Sequence, residues 1–316
     1  MKPYAVIDLH CDTLADCMFT DTGSSDTLDD PKRALSLSAI PQGVSWTQFF
    51  AVWIQDEYTG DAALRYFDRW ADSFYRQTEK FSDRITACRS AADIELARSQ
   101  GKTAAVLTVE NGSVLGGRLE NVKYLADRGV RAMTVVWNGE NEIASGNDTD
   151  RGFSDFGRRV IPELERCGIL VDVSHLNDRG FYELLDIAEK PFLATHSNLR
   201  SICPHKRNLT GDMVRRMVER DCLIGINYYT FFIEENGEVD SPEQLYRHID
   251  RFLELGAEKN LALGSDFDGA DLPEFLNSPA KVADFYEYLL SRGLSERVVN
   301  GIYCENAMSF LRRNMT

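Results

Sequence analysis

Short apolar, β-branched runs alternate along the chain with longer stretches of helical period. That alternation marks βα units around a parallel sheet, because a crossover between parallel strands needs a helix-length connection. Eight runs read as strands, at residues 4–9, 46–53, 103–109, 132–137, 169–174, 192–195, 223–228 and 261–265. Helical spacing occupies 62–81, 118–128, 156–167, 178–188, 212–219 and 242–255, and the tail adds helices at 280–291 and 296–311. Ala104-Ala105-Val106-Leu107 and Ile224-Gly225-Ile226 are apolar on both faces, as strands are when helices cover one side and a barrel interior the other. Gly129 and Gly168 stand where a left-handed residue ends a helix before a strand, and Asn177 and Thr210 stand where a helix needs an N-cap. The pattern predicts an α/β fold, a TIM-like (β/α)8 barrel with extra C-terminal helices, with residues 1–316 as one domain. An open, doubly wound sheet is the alternative.

Composition narrows the class further. With 43 % hydrophobic and 27 % charged residues over 316 positions, the chain has the means to bury a large core. Its 50 acidic side chains outnumber 35 basic ones, and the net charge of −15 opposes attraction to nucleic acid or anionic lipid, so neither is expected as a partner. Seven cysteines, at 11, 17, 88, 167, 203, 222 and 304, show no Cys-x-x-Cys spacing and point to a reducing compartment. The first residues reach His10 too soon for a signal-peptide hydrophobic stretch, and no run of about 18 apolar residues occurs, so a cytoplasmic protein without a membrane partner is expected.

Catalytic groups of such barrels sit at the carboxyl ends of the strands. Here the first strand runs into His10-Cys11-Asp12, the third into Glu110, the fifth into His175, the sixth into His196 and the eighth into Asp266. Three of the five histidines (10, 175, 196, 205 and 248) therefore end strands. Imidazole nitrogen with carboxylate oxygen suits zinc or a similar divalent ion. His10 and Asp12, one residue apart on extended chain, can hold one cation together; Glu110 has two oxygens and can bridge to a second, with His175 and His196 available to complete it. Two cations about 3.5 to 4 Å apart would make a water nucleophilic at neutral pH. Singly, each residue has an ordinary alternative: Asp12 as a cap, Glu110 bound to backbone donors near Gly112, the histidines as hydrogen-bonded core residues. Five metal-competent groups at the ends of four strands favour the metal reading. His205, in a basic loop, and His248, on a helix read as surface, are not needed as ligands.

In this order the segments Asp8-Leu9-His10-Cys11-Asp12, Val109-Glu110-Asn111-Gly112, Val171-Asp172-Val173-Ser174-His175, Thr195-His196-Ser197-Asn198, Lys206-Arg207-Asn208-Leu209 and Gly264-Ser265-Asp266-Phe267-Asp268-Gly269 resemble the renal or membrane dipeptidase family of metallopeptidases, within the amidohydrolase superfamily. The resemblance spans nearly the whole chain. It implies a barrel with two zinc ions, one held by His10, Asp12 and Glu110 and the other by Glu110, His175 and His196. It implies that Arg207 binds the substrate carboxylate and that Asp266 moves protons. The implied reaction is hydrolysis of dipeptides with a free C-terminal carboxylate, L-D dipeptides among them, by a metal-bridging hydroxide.

The chain departs from the family pattern at one point. Where well-studied dipeptidases end the fourth strand in a substrate-contacting histidine, this sequence has Trp137, which donates one hydrogen bond and carries no charge. Trp137, Asn138 and Tyr228 are candidate substrate contacts, with Asn141, Tyr229 and the Gly- and Asn-rich stretch 141–156 nearby. Two other readings stay open: another binuclear-metal hydrolase acting on a lactone, cyclic amide or phosphoester, and a non-catalytic barrel that binds a ligand. Lys102 and Lys190 precede strands, so no lysine is placed to be a carbamylated bridge. The extra C-terminal helices make a homodimer an expectation.

Overall fold

The computed structural model describes residues 4–16 and 27–316. Its strands are β1 (Ala5–Cys11), β2 (Ser45–Trp53), β3 (Ile85–Cys88), β4 (Thr103–Glu110), β5 (Ala132–Thr134), β6 (Leu170–Asp172), β7 (Leu193–Ala194), β8 (Leu223–Ile226) and β9 (Leu261–Leu263). All their pairings are parallel. The helices are α1 (Thr13–Asp16), α2 (Gly60–Lys80), α3 (Ala91–Ser99), α4 (Glu120–Asp127), α5 (Asp155–Arg166), α6 (Asp178–Ile187), α7 (Gly211–Glu219), α8 (Thr230–Ile233), α9 (Pro242–Glu254), α10 (Pro279–Ser291), α11 (Glu296–Asn300) and α12 (Asn306–Asn314).

The ring closes in the order β1-β2-β4-β5-β6-β7-β8-β9, with β9 returning to β1. This is the expected TIM-like barrel. The strand β3 stands outside the ring and was not expected. It pairs with Thr103–Val106 of β4, while β5 pairs with Thr108–Glu110 of the same strand, so the two share one edge of β4 and β3 takes its amino-terminal half. With the α3 that follows it, β3 occupies a stretch that the eight-unit reading left without elements.

Side-chain direction explains the two cores. Ile7, Leu9, Phe49, Ala104, Val106 and Leu193 belong to one apolar cluster filling the barrel, together with Ile94 of α3 and Phe310 and Leu311 of α12. The last helix thus plugs the amino-terminal end of the barrel. Alternate residues such as Val6, Phe50, Leu107 and Val109 face the helix layer, where they join Phe67 and Trp70 of α2 and Tyr303. The segment between α11 and α12 is a π turn over Gly301–Glu305, so the single tail helix expected at 296–311 is a continuous element with a bulge. Asn306 fixes it by donating from Nδ2 to the carbonyls of Glu258 and Leu261, at 2.8 and 2.9 Å.

Local signals act as expected at the caps. The Asn177 side chain accepts from Gly180 N and that of Thr210 from Met213 N, while Gly129 and Gly168 take φ of 96° and 73°. One surface assignment is corrected: His248 is fully buried, its Nδ1 accepting from Leu199 N at 3.2 Å and its Nε2 lying 3.1 Å from the Ile233 carbonyl. Six cysteines are free thiols, and Cys17 lies outside the described residues. Among the described residues no helix is long and apolar enough to cross a membrane.

Candidate active site

Polar side chains replace apolar ones where the strands reach the carboxyl end of the barrel. Glu110 has the same inward direction as Ala104 and Val106 along β4, three and two two-residue repeats further up. Beyond their strands, His175 and Asp266 adopt φ of 70° and 65°. Left-handed backbone is disfavoured for side chains with a Cβ, and its use here turns both groups sharply at the ends of β6 and β9.

The residues read from the strand ends converge. His175 Nε2 lies 2.8 Å and His196 Nε2 3.6 Å from Glu110 Oε1, and the two imidazole nitrogens are 3.1 Å apart. On the other side His10 Nε2 is 3.7 Å from Glu110 Oε2, 3.4 Å from Asp12 Oδ2 and 3.8 Å from Asp266 Oδ1. Ligand-type atoms of His10, Glu110 and His196 lie within 4.8 Å of one another, as do those of His10, Asp12 and Asp266. His10 therefore sits between the two expected ligand sets.

A second layer holds these groups in place. The His175 Nδ1 is 3.0 Å from Asn138 Oδ1, an acceptor that puts the ring hydrogen on Nδ1 and leaves the Nε2 lone pair directed at the cluster. His196 Nδ1 lies 2.9 Å from the Thr195 hydroxyl, which donates to the buried Asp172. Asp172 also accepts from the Thr134 hydroxyl and from the backbone of Ser174 and Thr195, tying β5, β6 and β7 together. Asn227 donates to Asp266 Oδ2 at 3.0 Å, and Asp8 accepts from Ser265 N and His10 N. Gly269 has no side chain for a reason of space: a Cβ there would lie 2.0 Å from Asp12 Oδ2.

The electrostatics suit cations. Burial pushes Glu110 well above the ordinary carboxyl range and raises Asp266, with the neighbouring carboxylates adding to each and His10 opposing. Burial also drives His175 and His196 well below the usual imidazole value, so both rings are neutral lone-pair donors. For His10, burial works against the charged form, but Glu110, Asp12 and Asp266 outweigh it and raise the group to about 10. A positive charge is favoured at that point. Among the described residues, His10 Nε2 and Asp12 Oδ1 are both buried without a hydrogen-bond partner. Orphaned atoms of those two types, in a nest of imidazoles and carboxylates, are what divalent metal ligands look like before the metal is added. The donor set fits the expected ions.

Arg207 is 5 % exposed, with its guanidinium 5.2 Å from the Phe232 ring and its Nη2 3.4 Å from the His196 carbonyl. Its Nε has no partner among the described residues. Burial lowers its pKa to about 10, against the pull of Glu110, Asp266 and Asp172. A buried guanidinium with open donors calls for an incoming anion.

The remaining candidates divide. Trp137 is half-buried at the mouth, its ring 6.3 Å from His175, whereas Asn138 touches His175 itself. Tyr228 is not brought to the mouth: it is 1 % exposed, lies in the outer core and has its ring 6.1 Å from Phe267, so it presents no surface to a ligand. Asn141 braces its loop, donating to Asn111 Oδ1 and the Val135 carbonyl. Asp268 accepts from the Thr13 hydroxyl and from Ala34 N, and so anchors a loop. Asp172, Asn227 and Trp53 stand at or beside the site without being expected there. The first had a signal, since Asp172 interrupts an apolar strand and a buried carboxylate there needs partners.

A sequence model of the family described as "Membrane dipeptidase (Peptidase family M19)" matches residues 1–315. An uncharacterised protein encoded in the pqqA 5′ region of Klebsiella pneumoniae is 31 % identical over 240 residues, which is 72 % of this chain and 89 % of that protein. Among solved structures, a dipeptidase of metallopeptidase family M19 superposes with a TM-score of 0.91 at 24 % identity, over 99 % of both chains. A metallopeptidase from Rhodobacter sphaeroides, liganded with a phosphinate mimic of the dipeptide L-Ala-D-Ala, gives 0.89 at 23 %, over 99 % of this chain and 100 % of that one. These two likenesses establish the barrel, and the match along the sequence goes further: the chain belongs to the membrane dipeptidase family, peptidase family M19, a family of metal-dependent hydrolases.

Proposed function

We propose that the chain hydrolyses dipeptides with a free C-terminal carboxylate at a centre of two zinc ions. The observation that carries this reading is the single buried cluster of His10, Asp12, Glu110, His175 and His196, with Asp266 beside it and the open guanidinium of Arg207 close by. His10, Asp12 and Glu110 would hold one ion, and Glu110, His175 and His196 the other. When bound, such ions supply Lewis acidity for the scissile carbonyl and bring the pKa of a water toward neutrality.

The protein's own groups do the rest. Arg207 takes the carboxylate as a two-pronged hydrogen-bond partner and fixes the substrate's direction. Asp266, held through one oxygen by Asn227, has its other oxygen 3.8 Å from His10, in position to accept a proton from the attacking water and return it to the leaving amine. The Rhodobacter sphaeroides neighbour's ligand mimics a dipeptide with a D-residue at its C-terminal position. Dipeptides of that L-D type therefore head the substrate class proposed for this chain.

Family membership favours this reading over a lactone, cyclic amide or phosphoester hydrolase and over a non-catalytic binding barrel. The test is metal quantitation on protein purified without added zinc, coupled to a substrate panel of L-L and L-D dipeptides, lactones and phosphotriesters. Two equivalents of metal and turnover of dipeptides are expected. Activity on lactones or phosphotriesters alone would reject the peptidase, and less than about one equivalent that added zinc does not restore would reject the metal centre.

A further inference from the structure

Trp53 ends β2 and pairs in register with Glu110 across the β2–β4 ladder. Paired residues of parallel strands point to the same face, so Trp53 points into the barrel mouth beside the cluster. Its ring meets that of Trp137 edge to face, with centroids 5.1 Å apart and planes at 70°. Trp53 Nε1 is closed off from solvent and has no hydrogen-bond partner among the described residues, although an indole that serves only to pack generally finds an acceptor for its N–H. The pair is also braced. Gly139, two residues after Trp137, donates its N–H to Asp56 Oδ2 at 2.8 Å, and Asp56 Oδ1 accepts from Asn111, next to Glu110.

The order of strands gives this wall a direction. Arg207 lies in the connection after β7 and packs on Phe232, which follows β8. Around the ring, β2 and β7 are four steps apart either way, so Trp53 and Arg207 stand on opposite sides of the mouth with the cluster between them. A dipeptide anchored on Arg207 by its C-terminal carboxylate, with its peptide bond at the cluster, extends its N-terminal residue across the barrel to the indoles.

We propose that Trp53 and Trp137 form the subsite for the side chain of the substrate's N-terminal residue, and that it selects bulky apolar side chains there. The inference rests on the dipeptidase reading above and adds a substrate preference to it. Two fixed indole rings offer a flat apolar surface that rewards the burial of leucine or phenylalanine and desolvates an anionic side chain without pairing it.

The experiment has a binding arm and a turnover arm. Phosphinate dipeptide isosteres led by phenylalanine, leucine, alanine or glutamate, with one common C-terminal residue, are titrated calorimetrically into zinc-loaded protein. The intact protein is expected to bind the phenylalanine- and leucine-led isosteres at least about tenfold more tightly than the alanine-led one. In Trp137→Ala that ratio collapses to within about threefold, while a second series varying only the C-terminal residue keeps its own ratios. Trp53→Phe and Trp137→Phe, which keep an aromatic ring, give intermediate ratios and decide the matter if the alanine variant does not fold. A flat profile in the intact protein overturns the subsite, as does a ratio that survives in all three variants. Hydrolysis of the corresponding dipeptides is followed in parallel. Turnover without N-terminal preference overturns the subsite and keeps the dipeptidase; indole-dependent binding without turnover of any dipeptide does the reverse.

Discussion

His175 shows how one side chain is prepared for its task from both ends. Asn138 accepts from the Nδ1 side, Nε2 lies 2.8 Å from Glu110, and burial keeps the ring neutral. Asn138→Ala removes the acceptor that fixes the tautomer, and partners of this kind typically change metal affinity by about 10- to 100-fold. The expected result is a loss of that size in a chelator competition, with the fold intact by circular dichroism; unchanged affinity would return Asn138 to a role in substrate contact. Asp266 supplies the complementary case. Asp266→Asn keeps an oxygen and a shape compatible with Asn227 but removes the proton acceptor, so metal content should stay while kcat falls by about 100-fold or more. His175→Ala should lose both metal and turnover. Full kcat in Asp266→Asn would show that the proton leaves by another route.

At the level of elements, the parts legible in the sequence were those in which one physical demand dominates. The strand β4 is buried on both faces at all eight of its positions, and its Ala104-Ala105-Val106-Leu107 stretch is the continuous apolar run that burial on both faces produces. The metal-type residues were legible because polar groups directly after such runs have little reason to be there other than chemistry. By contrast, β3 has four residues, two of them only partly buried, and covers just half an edge of β4, so it never needed a run long enough to notice. His248 was misassigned although its signal was present: with Leu245, Ile249 and Phe252 it completes the i, i+3, i+4, i+7 stripe that faces the core of α9. Tyr228 follows β8 as His196 follows β7, yet it turns to the helix layer, because position after a strand does not by itself decide the face. Loop geometry was the least legible part. The turn after Asp266 depends on Gly269, where a methyl group would intrude on Asp12 at 2.0 Å and on Asp266 Oδ1 at 2.8 Å. Both contacts are too short to be relieved without moving a carboxylate. Gly269→Ala should therefore weaken metal binding by at least about tenfold, measured by the same competition, and a variant that binds metal normally would show that the loop can shift away from the cluster.

For the whole molecule, acid is the informative perturbation. A net charge of −15 at neutral pH means that moderate acidification relieves self-repulsion, which by itself would favour the compact state. His248 acts in the opposite direction. Its burial lowers the folded-state pKa from 6.5 to about 4, so between those values the unfolded chain binds a proton that the folded chain refuses. Stability must then rise with pH across that window. The contribution is fully present above about pH 6.5, is lost progressively down to about pH 4, and is constant below; its limit is about 3 kcal/mol, from 1.36 kcal/mol for each unit of pKa difference. His248→Gln isolates the effect, since a carboxamide can accept from Leu199 N and donate to the Ile233 carbonyl without titrating. Urea unfolding of both proteins at matched pH values cancels the shared contributions of surface charge and bound metal. The stability of the parent relative to His248→Gln should be flat from pH 8 to about 6.5 and then fall toward pH 4. A difference that stays constant, or that grows in favour of the parent as the solution becomes acidic, would mean that His248 is not held neutral between Ile233 at the end of α8 and the loop after β7.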